Sequence, residues 1–160
     1  MGVAKFSKPI QLASGVGIED FHCGDEIVDT WVVKHSATAR KRGTAVIYAT
    51  HCGEKVAGFY TLSTHSVARA DLGGGWLARN APGQIPCVLL GMMGVDEQYQ
   101  GLGLGAQLLR DAILNSIKIA DLAGARALIV DPTGDEAAAF YRHFGFSDIK
   151  GTCRMALRLS

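Results

Sequence analysis

One stretch of this sequence has the residue types and spacing to hold a phosphate. Val95-Asp96-Glu97-Gln98-Tyr99-Gln100-Gly101-Leu102-Gly103-Leu104-Gly105-Ala106 reads as the end of a strand, a glycine-rich turn and the start of a helix. A helix N-terminus carries N–H groups without partners and a partial positive charge. Glycines let successive amides turn into one concavity and let a phosphate approach the backbone. Gln100, Gly101, Leu102, Gly103, Leu104, Gly105 and Ala106 are therefore candidate ligands of a pyrophosphate. At about 1.5–3 kcal/mol for each charge-assisted hydrogen bond, several amides supply micromolar binding without a lysine. A Walker loop is excluded, because no Gly-Lys pair precedes a Ser or Thr. A dinucleotide fingerprint fits poorly: the pattern is GxGxG instead of GxGxxG, and it lies far from the first strand.

Other side chains offer charge or acid–base chemistry. Lys34, Arg40, Lys41 and Arg42 form a basic run without an intervening acid, and Arg69 and Arg79 stand against Asp71 further on. Converging, they make a phosphate-binding face on a nearly neutral protein; apart, they are the solvated end of a helix, the usual meaning of a short basic run. Tyr141 lies between Phe140 and Phe144, and by residue type alone reads as an aromatic on the core side of a helix. His65 is the nearest candidate base to the strand by sequence position, and a core or surface histidine accounts for it as well. His22, His35, His51 and His143 lack metal-ligand spacing, so no metal is expected.

The elements that must position these residues follow from hydrophobic periodicity. Pro9 to Leu12 suits an entering strand after a frayed start over the first eight residues. Asp25 can cap a helix carrying Ile27, Val28, Trp31 and Val32 at helical spacing and ending before Gly43. Thr44 to Thr50 and Val56 to Thr64 form a hairpin around His51-Cys52-Gly53-Glu54. Ala68 to Gln84 is a long loop with a short helix around Trp76 to Arg79, and loops of this length are often functional. Ile85 to Val95 is a buried central strand, followed by a helix to about Ala123. Arg126 to Val130 is another buried strand, Asp135 opens a short helix that ends at Gly145, and Phe146 begins a final strand pair with Thr152 to Leu159. The expected class is mixed α/β, with a partly antiparallel sheet and helices.

Composition narrows the possibilities. The 160 residues suit one domain, and 48% hydrophobic with 19% charged residues is a globular profile. Lys plus Arg minus Asp plus Glu is 16 − 15 = +1, so overall charge announces neither nucleic acid nor membrane. The longest apolar run, Val88 to Val95, falls far short of the roughly 20 residues a membrane helix needs. The N-terminus has no secretory h-region. The four cysteines make no CxxC or CxxH pair and read as reduced, buried thiols of a cytoplasmic protein.

Gln100, Gly103 and Gly105 as Gln-x-x-Gly-x-Gly, with Ala137-Ala138-Ala139-Phe140-Tyr141-Arg142-His143-Phe144-Gly145-Phe146, resemble the GCN5-related N-acetyltransferase (GNAT) superfamily. Phe21 to Trp31, Val56 to Ser63, Arg79 to Pro86 and Leu89 to Asp96 narrow the resemblance to the GNAT toxins of type II toxin–antitoxin modules. The resemblance implies a single GNAT domain over 1–160, with a central mixed, mostly antiparallel sheet flanked by helices. It implies acetyl-CoA as co-substrate, its pyrophosphate on Gln100 to Ala106, its pantetheine along Met93, Gly94 and Val95, and Phe140 at the cofactor. Tyr141 takes the catalytic role of protonating the departing thiolate, for which a phenol of pKa about 10 is suited. The acceptor implied is the α-amino group of aminoacyl-tRNA, with Lys34, Arg40, Lys41, Arg42 and Arg79 on the tRNA. A ribbon-helix-helix antitoxin and a homodimer are the implied partners.

Two departures stand out. Related toxins often carry Leu-Ala-Arg-Leu-Ala-Val where this chain has Leu90-Gly91-Met92-Met93-Gly94-Val95, and many carry Asn at the position of Ala139. An arginine contact and a side-chain contact to CoA are thereby lost, while the backbone cradle stays. The alternatives are a GNAT enzyme acting on a small amine or a protein N-terminus, and a CoA-binding module without turnover.

Overall fold

A computed structural model describes residues 5–160. Strands β1 (Ile10–Gln11), β2 (Val46–Cys52), β3 (Lys55–Ala68), β4 (Gln84–Val95), β5 (Ala127–Val130), β6 (Ser147–Asp148) and β7 (Met155–Arg158) form a seven-stranded sheet in the order β1-β2-β3-β4-β5-β7-β6. The β4–β5 pair is parallel, whereas β1–β2, β2–β3, β5–β7 and β6–β7 are antiparallel. Residues 1–62 with 92–112 form one compact unit, and 63–91 with 113–160 form a second.

In the first unit, β1 (Ile10–Gln11) pairs with β2 (Val46–Cys52). The start of the chain is less frayed than expected within the described residues. Ser7 N–H donates to His51 O at 2.9 Å, and the Thr50 hydroxyl donates to Ser7 O. Residues 1–4 lie outside the described residues.

The single helix expected from Asp25 to Gly43 is two helices, α1 (Glu26–Lys34) and α2 (Ser36–Arg42). Asp25 caps α1 by accepting from Ile27 N–H at 3.0 Å. The break falls at His35, where φ is −127°. Ser36 is buried and donates its hydroxyl to Val32 O at 2.6 Å, a back-bond that bends the chain there. Gly43, at φ +69°, closes α2 in the left-handed conformation that glycine adopts without strain.

The β2–β3 hairpin turns at Gly53-Glu54, and β3 (Lys55–Ala68) runs four residues beyond the Thr64 expected from its pattern. Tyr48 faces Tyr60 across the ladder, with their rings stacked at 5.0 Å. Leu12, Phe21, Val28, Val32, Ile47, Ala49 and Phe59 are the buried centre of this unit. That burial is its main stabilisation, at roughly 1.5–3 kcal/mol for each large apolar side chain.

The second unit is built on β5 (Ala127–Val130), buried at every residue. It pairs in parallel with Val88–Leu90 of β4 (Gln84–Val95) and antiparallel with β7 (Met155–Arg158). The short edge strand β6 (Ser147–Asp148) follows α4 (Asp135–His143). The long loop holds one 3-10 turn, Arg69–Asp71. The expected helix around Trp76 is a run of turns over 76–80, pinned by the Arg158 guanidinium stacked 4.7 Å from the Trp76 ring. Three elements, β3, β4 and α3 (Leu104–Ala123), run through both units.

All four cysteines are free, but only Cys87 is buried; Cys23 and Cys52 are half-buried and Cys153 is exposed. The expectation of four buried thiols fails because the strand and loop positions of the other three reach the surface. Among the described residues no helix is long and apolar enough to cross a membrane.

Candidate active site

The first unit builds the glycine-rich turn from the end of β4. Pairing with β5 stops at Leu90, and β4 continues through Gly91 to Val95. Met92 N–H is bonded to Thr61 Oγ1 at 2.9 Å, and Asp96 N–H to Ala57 O at 2.8 Å. Asp96 is buried at 4% exposure and turns the chain into a 3-10 turn, Glu97–Tyr99. Its carboxylate accepts from Gln98 N–H at 3.0 Å and His22 N–H at 3.1 Å, with Lys55 Nζ at 3.6 Å. The buried charge is thus both hydrogen-bonded and paired, as burial of a carboxylate requires.

Gln100 is not a free ligand. Its Nε2 donates to Val95 O at 2.9 Å and to Cys23 O at 2.8 Å, so the side chain braces the turn. Gly101 and Gly103 have φ of +80° and +82°, and a side chain added at either would meet nothing within 4 Å. The turn needs glycine there for its backbone angle. Gln107 N–H donates to Gly103 O at 3.3 Å as α3 begins. The amides of Gly103, Leu104, Gly105 and Ala106 are the ones a helix leaves without intrahelical partners. Leu104 is buried beneath them and Leu102 is 55% exposed. The arrangement can bind an anion through its main chain. Met93, Gly94 and Val95 lead into this turn, half-buried. At Gly94 a side chain would meet Cys23 Sγ and the Phe21 ring at 3.2 Å, so the strand lies flat against that wall.

A carboxylate that the sequence pattern gave no role supports the turn from behind. Asp29 Oδ1 accepts from Cys23 N–H at 2.8 Å, and Oδ2 accepts from Gly24 N–H at 3.0 Å. His22 bridges Asp29 at 3.2 Å and Glu97 at 3.4 Å. Burial pushes the Asp29 carboxyl up, but the two amides, the Cys23 thiol and His22 outweigh it and hold the group below the usual carboxylate range. Burial also pushes the Cys23 thiol up to about 12, which keeps it protonated and unreactive. The only sequence signal for this support was the Phe21–Trp31 motif.

The second unit holds Tyr141 on α4. Its ring is half-buried, 5.6 Å from Phe140 and 5.4 Å from Phe146, and Phe140 packs on Phe144 at 5.0 Å. Phe144 N–H and Phe146 N–H both donate to Tyr141 O, at 3.0 and 3.2 Å, and this fixes the helix end that carries the phenol. Arg142 turns to Asp148 at 3.3 Å. One further group here was not foreseen: Arg154 pairs with Asp131 through both carboxylate oxygens, at 2.7 and 3.2 Å. His65, the candidate base, has its Nε2 buried without a hydrogen-bond partner among the described residues. Burial, then the Arg154 charge, push the His65 imidazole below its ordinary value, so it stays neutral.

The basic run divides. The Arg40 guanidinium donates to Val16 O, Ala13 O and Leu12 O, so it ties the 12–16 segment to α2. Lys34, Lys41 and Arg42 are exposed on α1 and α2, and Arg79 is exposed on the long loop of the second unit. Among the described residues no group of His, Cys, Asp and Glu could hold a metal ion.

These features have close parallels. Residues 30–148 match the family model for the acetyltransferase (GNAT) domain. The chain is 38% identical to the tRNA-acetylating toxin of Mycobacterium tuberculosis (strain ATCC 25618 / H37Rv) over 141 residues, covering 88% of this chain and 84% of that protein. It is 32% identical to the probable toxin TacT of Sinorhizobium fredii (strain NBRC 101917 / NGR234), covering 81% and 77%. Its fold is similar to AtaT complexed with acetyl-methionyl-tRNAfMet, with a TM-score of 0.83, 23% identity and coverage of 96% and 95%. AtaTR bound with acetyl-CoA gives a TM-score of 0.81, 23% identity and coverage of 96% and 94%. The glycine turn, the tyrosine helix and these likenesses agree: the chain belongs to the GNAT acetyltransferase family.

Proposed function

We propose that this chain is an acetyl-CoA-dependent N-acetyltransferase toxin that acetylates the α-amino group of aminoacyl-tRNA and so blocks translation. The observation that carries the reading is the 38% identity to a protein named tRNA-acetylating toxin; the positive φ of Gly101 and Gly103 ahead of a helix supports it. The GNAT domain then spans 1–160. The protein acts in the cytoplasm, where charged tRNA is found, as a homodimer neutralised by a ribbon-helix-helix antitoxin. Solved relatives described as AtaTR bound with acetyl-CoA and as a KacTA–DNA complex are in keeping with such a partner.

In this reading Gly101 to Ala106 hold the pyrophosphate of acetyl-CoA, and the main chain of Met93 to Val95 aligns the pantetheine, with Phe140 beside it. Five residues of β4 beyond its last β5 pair leave main-chain groups for that purpose. The neutral amine attacks the thioester carbonyl, and the new C–N bond forms as the C–S bond breaks. The amine's surplus proton passes to solvent, and Tyr141 gives its proton to the thiolate. An α-amino group has a pKa of about 7.7–8.0, lowered further by the adjacent ester, so no strong base is needed. Lys34, Lys41, Arg42 and Arg79 contact tRNA phosphates, and Arg40 shapes the surface that carries them.

The test is labelled acetyl-CoA with bulk aminoacyl-tRNA, uncharged tRNA and polyamines. Label on the amino acid released from charged tRNA is expected. Label only on polyamines would replace this reading with a small-amine enzyme.

A further inference from the structure

We propose that Asp29 is a positioning residue for acetyl-CoA, acting through Cys23 and Gln100 on the glycine turn; this rests on the reading of that turn as the CoA cradle. Asp29 is held rigidly, because its neighbours Val28 and Val32 on α1 are buried with Phe21 and Phe59. Its two oxygens take the successive amides of Cys23 and Gly24, at 2.8 and 3.0 Å, and fix the orientation of both peptides. The same short segment, His22 to Gly24, is the surface on which the turn is moulded. His22 O accepts from Glu97 N–H at 2.9 Å, and Cys23 O accepts from Gln100 Nε2 at 2.8 Å.

Cys23 therefore faces both ways: its N–H is set by Asp29 and its carbonyl sets Gln100. Gln100 spans Cys23 O and Val95 O, so it joins the strand end to the residue just before Gly101. The close fit is visible at Gly24, whose φ is +91° and where a side chain would stand 2.8 Å from Glu97 Oε1. Replacing Asp29 by Asn leaves one carboxamide oxygen and turns an NH2 toward the second amide, where donor meets donor. The Cys23 peptide is then free to rotate, and Gln100 loses a fixed acceptor.

The experiment uses the full chain, wild type against Asp29→Asn, Gln100→Ala and the double variant. It measures the Kd for CoA by calorimetry, and KM and kcat for acetyl-CoA at saturating acceptor. Asp29→Asn is expected to raise Kd and KM about tenfold with kcat within about twofold, the size of one lost charge-assisted bond. The acceptor KM stays unchanged. The double variant lies within about twofold of Gln100→Ala, because both act on one network.

Multiplying effects in the double variant, an unchanged Kd, or a lower kcat at unchanged KM would each overturn the assignment; the last is what mere loss of folded protein produces. If Asp29→Asn does not fold, Asp29→Glu takes its place, with a smaller rise in Kd expected and an unchanged Kd overturning the assignment. Wild-type protein that fails to bind CoA overturns the cradle itself, and is thereby told apart from failure at Asp29.

Discussion

The two units of this chain carry their candidate site residues on different material. Around Gly101 to Ala106, the first unit presents main chain, and its polar side chains are spent on holding that main chain in place. Asp96, Gln100 and Asp29 all accept from or donate to backbone groups. Around α4, the second unit does the reverse. The Tyr141 carbonyl is consumed by the turn at Phe144 to Phe146, and its side chain is packed among phenylalanines. A main-chain site depends on backbone angle and tolerates changes in side chain, whereas a side-chain site depends on a single atom. The two units should therefore fail in different ways.

The largest expected effect is at Tyr141. Tyr141→Phe keeps the ring and its packing and removes one hydroxyl. Loss of a general acid costs about 10²–10⁴ in rate, so kcat should fall at least a hundredfold with the Kd for CoA nearly unchanged. Steady-state kinetics with calorimetry reads both. Full activity in this variant would remove the acid role.

Next in size is Gly103. Space is open around its Cα, so Gly103→Ala meets no clash and isolates the cost of a left-handed angle, here φ +82°. That cost is about 1–2 kcal/mol; the exposed turn of the free variant relaxes to avoid it, and CoA binding must restore the angle, a roughly 5- to 30-fold rise in Kd. Leu102→Ala, beside it and 55% exposed, should change Kd by less than about twofold. Equal effects at both positions would show that side chains matter in this turn and would break the contrast.

Much of this contrast was legible in the sequence. Gly-x-Gly-x-Gly after a buried strand announces a main-chain anion site, because only glycine takes the angles such a turn needs. The strands of the second unit were equally plain, since Ala127 to Val130 is an unbroken apolar run buried on every side. What did not show was which partner each polar side chain takes. Gln100 reads as a ligand in the motif, and its side-chain amide also braces the turn, a role that depends on where Cys23 O lies, 77 residues earlier. Arg40 reads as one of four like charges, yet carbonyls from residues 12–16 take its guanidinium. The helix break at His35 was hidden because Ser36 is compatible with a helix by propensity and bends it only through its back-bond to Val32.

Arg40 and Lys41 are neighbours in sequence with opposite expected phenotypes. Arg40→Ala removes the guanidinium from three carbonyls, of which Ala13 O keeps the Val16 N–H, and should cost about 1–2 kcal/mol in urea unfolding, since hydrogen bonds to charged groups are worth more than neutral ones and partial exposure reduces the gain. Lys41→Ala should leave unfolding unchanged and reduce the salt dependence of tRNA binding, lowering the slope of log K against log salt by about one. A salt slope that falls with Arg40→Ala at unchanged stability would return Arg40 to the tRNA face.

The smallest effect separates the units by acid. Asp29 in the first and His65 in the second are both shifted down, for different reasons. Hydrogen bonds hold Asp29 ionised against burial, and burial with the Arg154 charge holds His65 neutral. For His65, the unfolded chain titrates near 6.5 and the folded chain lower. Between the two values the unfolded state binds more protons, so stability rises with pH through that window and its penalty is gone above about 6.5. For Asp29 the unfolded value is 3.8 and the folded one lower, so its contribution is complete above 3.8 and is lost as pH falls through the folded value. Urea midpoints followed with pH should therefore decline in two stages. His65→Gln should flatten the decline just below pH 6.5 and keep the decline below pH 3.8, whereas Asp29→Asn should do the opposite. If His65→Gln leaves the upper stage intact, that stage belongs to another histidine, and the buried Nε2 of His65 has a partner that keeps its proton affinity ordinary.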